Sequence, residues 1–137
     1  MTKDHSLSSA LHILGALAFR HPESLNSEML AFSMQTNSAL VRRLLSKLAK
    51  AGLVKTQRGQ GGGSYLAKPP EKITIREVYA AVGNQPIFRS FDKKPHKLCP
   101  VSCGIGAALK SLYGGFENTL FKDMEKTMLS DLMNKLE

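Results

Sequence analysis

Hydrophobic residues near the start of the chain recur every three to four positions, which is the period of an amphipathic helix. The apolar positions between Leu7 and Ala18 therefore predict a first helix, with Ser6 or Ser8 as its N-cap. Pro22 ends this helix, because proline moves the residue before it away from helical angles.

Two further helices are predicted before residue 52. The first is short, contains Met29–Phe32 and has Asn26 or Ser27 as its cap. After a polar turn, the second runs from about Ser38 to Ala51, and Gly52 suits the left-handed position that closes a helix. Its inner face is predicted to consist of Leu40, Val41, Leu44, Leu45 and Leu48.

A β-hairpin with a glycine-rich tip follows these helices. Residues 53–56 and 64–67 are β-prone runs on either side of residues 59–63, of which four are glycine. Beyond two prolines, Thr74 opens a further helix through a Thr-x-x-Glu capping box, and Gly83 ends it.

The C-terminal part begins with an irregular, proline-containing segment and ends in a long amphipathic helix or pair of helices. The apolar line of that last segment consists of Ile105, Leu109, Leu112, Phe116, Leu120, Met124, Met128 and Leu132. The line is too long to be buried against one small core, and exposed apolar surface of this size marks a partner. We therefore predict a dimer.

Three helices followed by a two-stranded wing are the element order of a winged helix-turn-helix. The predicted fold class is mainly α (α+β). We divide the chain into a winged helix-turn-helix DNA-binding domain at residues 1–83, an irregular sensor or linker segment at 84–103 and a dimerisation helix at 104–137.

The distribution of charge along the chain indicates what kind of partner it binds. The net charge is +8, and no acidic residue occurs between Glu28 and Glu71, where seven basic residues lie. Concentrated positive charge of this kind is typical of a nucleic-acid-binding surface. A solvated basic face or a patch for anionic membranes is the alternative.

The third helix and the wing carry the predicted DNA contacts. The first two turns of a helix in the major groove reach base edges, and later cations meet phosphate. Glycines at a wing tip let the backbone lie close to phosphate or enter a narrow minor groove. The predicted DNA-binding residues are Thr36, Asn37, Ser38, Arg42, Arg43, Lys47, Arg58, Gln60, Gly61 and Gly62. Lys50 is a phosphate contact or merely solvated.

A glycine-rich loop can also hold a nucleotide, and a cysteine can be a nucleophile. The loop lacks both the Gly-Lys-Ser/Thr ending of a P-loop and the G-x-G-x-x-G spacing, and a strand follows it where those sites have a helix. A cysteine nucleophile needs a positioned base, and only His96 lies close in sequence, without an evident acid partner. The sequence therefore favours a regulator over an enzyme.

These residues resemble the Rrf2 (Rrf-two) family of bacterial winged helix-turn-helix regulators. The resemblance covers nearly the whole chain. It is carried by Arg-Arg-Leu-Leu-Ser-Lys-Leu-Ala-Lys-Ala-Gly-Leu-Val from Arg42, by the Arg58-Gly59-x-Gly61-Gly62 wing, and by Leu-Ala-Lys-Pro-Pro-Glu-x-Ile-Thr from Leu66. It implies a dimer joined by a long C-terminal helix, with a sensor in the segment before that helix.

The two cysteines, Cys99 and Cys103, lie in that predicted sensor segment. Cluster-binding members of the family use three cysteines here, so Cys99-Pro100-Val101 resembles the subgroup without the trio, and no iron–sulfur cluster is predicted. His96 completes a possible set of three zinc ligands, but no fourth ligand stands nearby and the spacing is not standard. The prediction is therefore no cofactor.

A possible redox sensor is the favoured interpretation of both thiols. Pro100 suits the first position of a helix, which makes Cys99 its cap. A helix N-terminus and nearby cations favour the reactive thiolate, the cations here being Lys93, Lys94 and Lys97. Bonding across the dimer or to a small thiol fits better than a disulfide within one helix. The alternative is that both cysteines only pack.

We therefore predict a homodimeric repressor that binds double-stranded promoter DNA and is released by a redox or other chemical signal. The alternative is a constitutive or small-ligand-responsive DNA-binding regulator in which the cysteines only pack. No hydrophobic run approaches the roughly 18 residues of a membrane helix, so no membrane is expected as partner and the expected location is the cytoplasm.

Overall fold

Three helices form the N-terminal part of the structure, a computed structural model that describes residues 5–90 and 94–136. They are α1 (Ser6–Arg20), α2 (Ser27–Met34) and α3 (Ser38–Lys50), which confirms the three predicted helices. The predicted serine cap of α1 is wrong, because the helix begins at Ser6 and no side chain caps it. Asn26 does cap α2, since its Oδ1 accepts a hydrogen bond of 2.8 Å from the amide of Met29.

The predicted hairpin follows α3. Strands β1 (Val54–Gln57) and β2 (Gly63–Leu66) pair antiparallel, with Val54 opposite Leu66 and Gln57 opposite Gly63. Ser64 also pairs with Leu25, in the loop between α1 and α2, through two backbone hydrogen bonds of 3.0 and 2.8 Å. The hairpin is therefore held to the loop that precedes α2.

A short 3₁₀ turn, Pro70–Lys72, leads into α4 (Ile75–Ala81). The predicted capping box at the start of α4 is confirmed. The Thr74 hydroxyl accepts from the amide of Glu77 at 3.0 Å, and the Glu77 carboxylate accepts from the amide of Thr74 at 3.2 Å. Glu77 also accepts from Lys68 Nζ at 2.9 Å, which ties the end of the wing to α4.

The core lies where α1, α3, the hairpin and α4 meet. It includes four of the five predicted inner-face residues of α3, while Leu40 is half-buried and packs against the core. The largest fully buried side chains are Ile13, Leu14, Leu17, Leu30, Val41, Leu44, Leu48, Leu53, Ile73, Val78 and Leu129.

The C-terminal segment is a pair of helices, α5 (Pro100–Lys126) and α6 (Leu129–Met133). Since α5 begins at Pro100, residues 100–103 are helical, and the predicted boundary between irregular segment and helix at 104 lies four residues too late. No helix within residues 5–90 and 94–136 is long and apolar enough to cross a membrane.

The end of the chain belongs to the N-terminal core. The amide of Leu129 donates to the carbonyl oxygen of Ile73 at 2.7 Å, and the carbonyl oxygen of Thr127 accepts from the amide of Ile75 at 2.9 Å. Leu129 is fully buried, and Leu132 packs against the same core. The segment predicted only as a dimerisation helix therefore ends in residues that complete this chain's own core.

The structure thus divides into two compact units. One comprises residues 1–84 and 124–137, and the other comprises residues 85–123. In the second unit, Phe88 stacks on Tyr113 with ring centroids 5.3 Å apart and meets Phe116 edge-on at 5.8 Å. No residue along the whole of α5 is buried in the single chain.

Because Leu129 fills a fully buried position, Leu129→Ala should lower the free energy of unfolding by about 3 kcal/mol, through lost burial and the cavity left behind. Leu136→Ala is the matched control, since that side chain is 59% exposed and its loss should cost less than about 0.5 kcal/mol. Urea unfolding followed by circular dichroism measures both. Equal unfolding midpoints for the two variants would contradict the packing of α6 in this core.

Candidate nucleic-acid interface

The turn between α2 and α3 fixes the start of the third helix. Gln35 adopts a left-handed backbone conformation with φ of 54°, and the amide of Thr36 donates to the carbonyl oxygen of Ala31 at 3.0 Å. Asn37 then caps α3, because its Oδ1 accepts from the amide of Leu40 at 2.8 Å. The predicted base reader Asn37 is exposed, and its side-chain oxygen is engaged in the cap.

The two sides of α3 differ sharply in character. Val41, Leu44, Leu45 and Leu48 are buried, whereas the helix's four cations are exposed. Because side chains four positions apart share a face of a helix, burying the leucines turns the cations outward. The exposed cations of α3 are Arg42, Arg43, Lys47 and Lys50.

Arg42 contacts two neighbours through the same nitrogen. Its Nη1 donates to Ser38 Oγ at 3.2 Å and lies 3.7 Å from Glu28 Oε1. The structure therefore brings together two predicted site residues, Ser38 and Arg42, and adds Glu28 from α2, which the sequence analysis missed. The available signal was the position of Glu28 as the last acidic residue before the acid-free stretch.

The glycine-rich wing tip is shaped largely by its own backbone. A Cβ at Gly62 would overlap the carbonyl oxygen of Gln57, and one at Gly63 would lie 2.8 Å from the carbonyl group of Leu25. A side chain is therefore excluded at Gly62 by the hairpin's own backbone and at Gly63 by the backbone of the loop between α1 and α2, whether or not DNA is bound. Arg58, Gln60 and Gly61 are exposed at the tip.

Most of the basic side chains in the acid-free stretch between Glu28 and Glu71 are exposed to solvent. Lys68 is engaged with Glu77 at 2.9 Å, so it belongs to the α4 cap region. The other six basic residues of that stretch are exposed: Arg42, Arg43, Lys47, Lys50, Lys55 and Arg58. They lie on α3, on β1 and at the wing tip, which are parts of one compact unit.

The cysteines lie at the start of α5 and differ in their surroundings. Cys99 Sγ accepts from the amide of Ser102 at 3.4 Å, in the capping position predicted for it, and Ser102 Oγ accepts from the amide of His96 at 2.7 Å. Cys103 is exposed, and its thiol donates to the carbonyl oxygen of His96 at 3.4 Å.

The charges predicted around these thiols are only partly described. Lys94 and Lys97 are exposed, whereas Lys93 lies outside the described residues. In residues 5–90 and 94–136, no three His, Cys, Asp or Glu side chains come together as metal ligands would. The possible zinc set of His96 and the two cysteines is therefore not assembled. His96 Nδ1 instead accepts from the amide of Leu98 at 3.2 Å.

An outward-facing cationic helix preceded by a helix and a turn, and followed by a glycine-tipped hairpin, defines a winged helix-turn-helix DNA-binding regulator. The chain belongs to the Rrf2 family, since the family model described as an iron-dependent transcriptional regulator matches residues 4–135. It is a transcriptional regulator, and the relatives named below are regulators and not enzymes.

The chain is similar to the HTH-type regulator YwnA of Bacillus subtilis, with 34% identity over 95% of this chain and 96% of that protein. A crystal structure described as a DNA-binding protein matches at 31% identity with a TM-score of 0.74, over 93% of this chain and 98% of that one. The cysteine regulator CymR of B. subtilis matches at 20% identity with a TM-score of 0.74, over 100% and 99%. That last likeness concerns the fold alone.

Proposed function

We propose that the chain is a homodimeric repressor of the cytoplasm that occupies a promoter operator through α3 and the wing. The observation that carries this proposal is the exposed cationic face of α3, held outward by its buried leucine face. Asn37, Ser38, Arg42 and Arg43 lie in the first turns and read base edges, while Lys47 and Lys50 contact phosphate. The wing tip, with Thr36 beside the helix start, completes the contact surface.

Support for the dimer comes from α5. Its 27 residues span about 40 Å, and three large apolar side chains four residues apart are 50%, 48% and 40% exposed, namely Leu112, Phe116 and Leu120. These three side chains form a stripe about 12 Å long. Such a stripe is unfavourable in water, and a second copy of the same helix buries it symmetrically. Two DNA-reading heads then meet two half-sites about one helical turn of DNA apart, or a multiple of it.

The thiols at the start of α5 are the proposed sensor. A peroxide oxidises one thiol to a sulfenic acid, and this acid condenses with a second thiol, releasing water and leaving a disulfide. The second thiol is the partner protomer's or that of a small molecule. Cys103 is the more exposed thiol, whereas Cys99 is held in the helix cap. A bond here changes the start of the proposed dimer helix and so the spacing of the two heads.

A second candidate is a regulator that responds to a small ligand, with the cysteines only packing. A specific observation favours it: α1, α2 and α6 line an apolar groove of about 1270 Å³. The groove is larger than the about 300–1,000 Å³ of typical ligand sites and, like them, mostly apolar. Phe19, Met29 and Phe32 border the groove and are exposed. Because α2 packs on α3, a ligand there acts on the DNA-reading helix through α2.

The DNA contacts are tested on an operator selected from random double-stranded DNA with the wild-type protein. Arg42→Ala should weaken operator binding by about 1–3 kcal/mol and relax base preference, as expected for a base contact. Lys50→Ala should weaken all DNA about equally and lower the salt slope by about 1. Fluorescence anisotropy at two salt concentrations measures both, with Lys110→Ala on α5 as the control. Unchanged operator affinity in both Arg42→Ala and Arg58→Ala would show that this surface is assigned wrongly.

The dimer is tested by placing charge on the exposed stripe of α5. Leu112→Glu should shift the protein from dimer to monomer at micromolar concentration, because a carboxylate in an apolar interface is desolvated without a partner. Sedimentation velocity measures the shift. Asn118→Glu introduces the same charge on the opposite side of the helix and should leave the dimer intact. A wild-type monomer that still binds the operator tightly would contradict the proposal.

The thiol switch is tested by titrating operator binding with hydrogen peroxide and then with a reductant. Wild type should lose affinity reversibly, by about tenfold or more, and the Cys99→Ser/Cys103→Ser variant should not respond. A tenfold change needs only about 1.4 kcal/mol. Serine is itself a good helix cap, so the variant keeps the start of α5. Identical titration curves for both proteins would reject the switch and favour the constitutive or small-ligand-responsive alternative.

A further inference from the structure

We infer that Glu28 is a positioning residue for sequence readout, which holds Arg42 so that one edge of its guanidinium faces the DNA. This inference rests on the proposed role of Arg42 as a base reader. It assigns a role in specificity to a residue of α2, outside the helix and wing that carry the proposed DNA contacts.

The contacts around Glu28 define its orientation on both sides. Oε1 lies 3.7 Å from Arg42 Nη1, and Oε2 accepts from the hydroxyl of Ser27 at 3.2 Å. Glu28 is also in the first turn of α2, where the helix dipole favours a carboxylate. The carboxylate is thus held at a defined place between the two helices, one oxygen toward Arg42.

On the arginine, both contacts fall on one nitrogen. Ser38 Oγ, 3.2 Å away, and Glu28 Oε1 are both neighbours of Nη1. The opposite edge of the guanidinium, formed by Nε and Nη2, carries two parallel N–H donors. Two parallel donors match the O6 and N7 acceptors of guanine in the major groove, which is the commonest specific arginine contact. Because Ser38 and Glu28 engage Nη1, the base-reading edge is left available before DNA binds.

Electrostatics makes Glu28 unfavourable for DNA binding in general. It is the last acidic residue before 42 positions without one, and its side chain is 70% exposed beside the proposed DNA surface. A carboxylate there repels phosphates of any sequence. By positioning Arg42, Glu28 offsets this repulsion only at a DNA site that carries the matching base. Glu28 therefore raises the ratio of operator affinity to affinity for unrelated DNA.

The test replaces Glu28 by its neutral isostere. Glu28→Gln should reduce the affinity ratio between operator and unrelated DNA by about threefold to tenfold. The lost discrimination should fall on the base pair whose preference Arg42→Ala also relaxes. Glu23→Gln is the matched control: it removes an equally exposed charge five residues away, from a carboxylate 4.0 Å from Arg20, and should leave the ratio unchanged.

A double variant separates positioning from a general charge effect. If Glu28 acts through Arg42, adding Glu28→Gln to Arg42→Ala should change discrimination at that base pair no further. Binding is measured by anisotropy against the operator and single-base-pair variants, with unfolding curves verifying that each variant is folded. An additive double variant, or a loss spread evenly over all positions, would overturn the inference. Failure of Arg42→Ala itself to relax any position would instead reject the proposed base reader.

Discussion

Burial of the leucine face of α3 against the other helices fixes the orientation of this helix and, with it, the position of the wing and of the exposed cations. Leu44 and Leu48 are almost entirely removed from water, together with Ile13 and Leu14 of α1. Each such side chain contributes about 1.5–3 kcal/mol relative to exposure. Since a helix has two sides, the orientation that buries the leucines also fixes where the arginines and lysines point. The electrostatic surface for DNA is thus a consequence of core packing.

The same core positions the wing and the end of the chain. Leu53 and Val54 are buried where β1 leaves α3, and the Leu25–Ser64 pairing fixes the other strand. The hairpin therefore has a defined direction although its tip is glycine-rich. Leu129 completes the core from the far end of the sequence. The chain therefore returns to the DNA-binding unit after α5.

Several helices begin at a side chain that accepts a hydrogen bond from a backbone amide of the first turn. Helix starts at Asn26, Asn37 and Thr74 use side-chain oxygens to satisfy amides that have no partner inside the helix. At the start of α5 a sulfur atom takes the same place. A cap built from a thiol connects the geometry of a helix end to the oxidation state of one atom, which is the physical basis of the proposed sensor.

Features that depend on residues close together in the chain could be predicted from the sequence. The Thr74–Glu77 capping box, the Asn26 cap and the amphipathic period of α3 each involve positions three or four apart, so spacing alone predicted them. The predicted cap of α1, Ser6 or Ser8, was wrong because serine is also compatible with the first turn of a helix, and both serines lie inside α1. Long-range folding instead established the pairing of Leu25 with Ser64, the burial of Leu129 beside Ile73 and the approach of Glu28 to Arg42. These partners are 14 or more residues apart, and no local pattern specifies the path of the chain that brings them together.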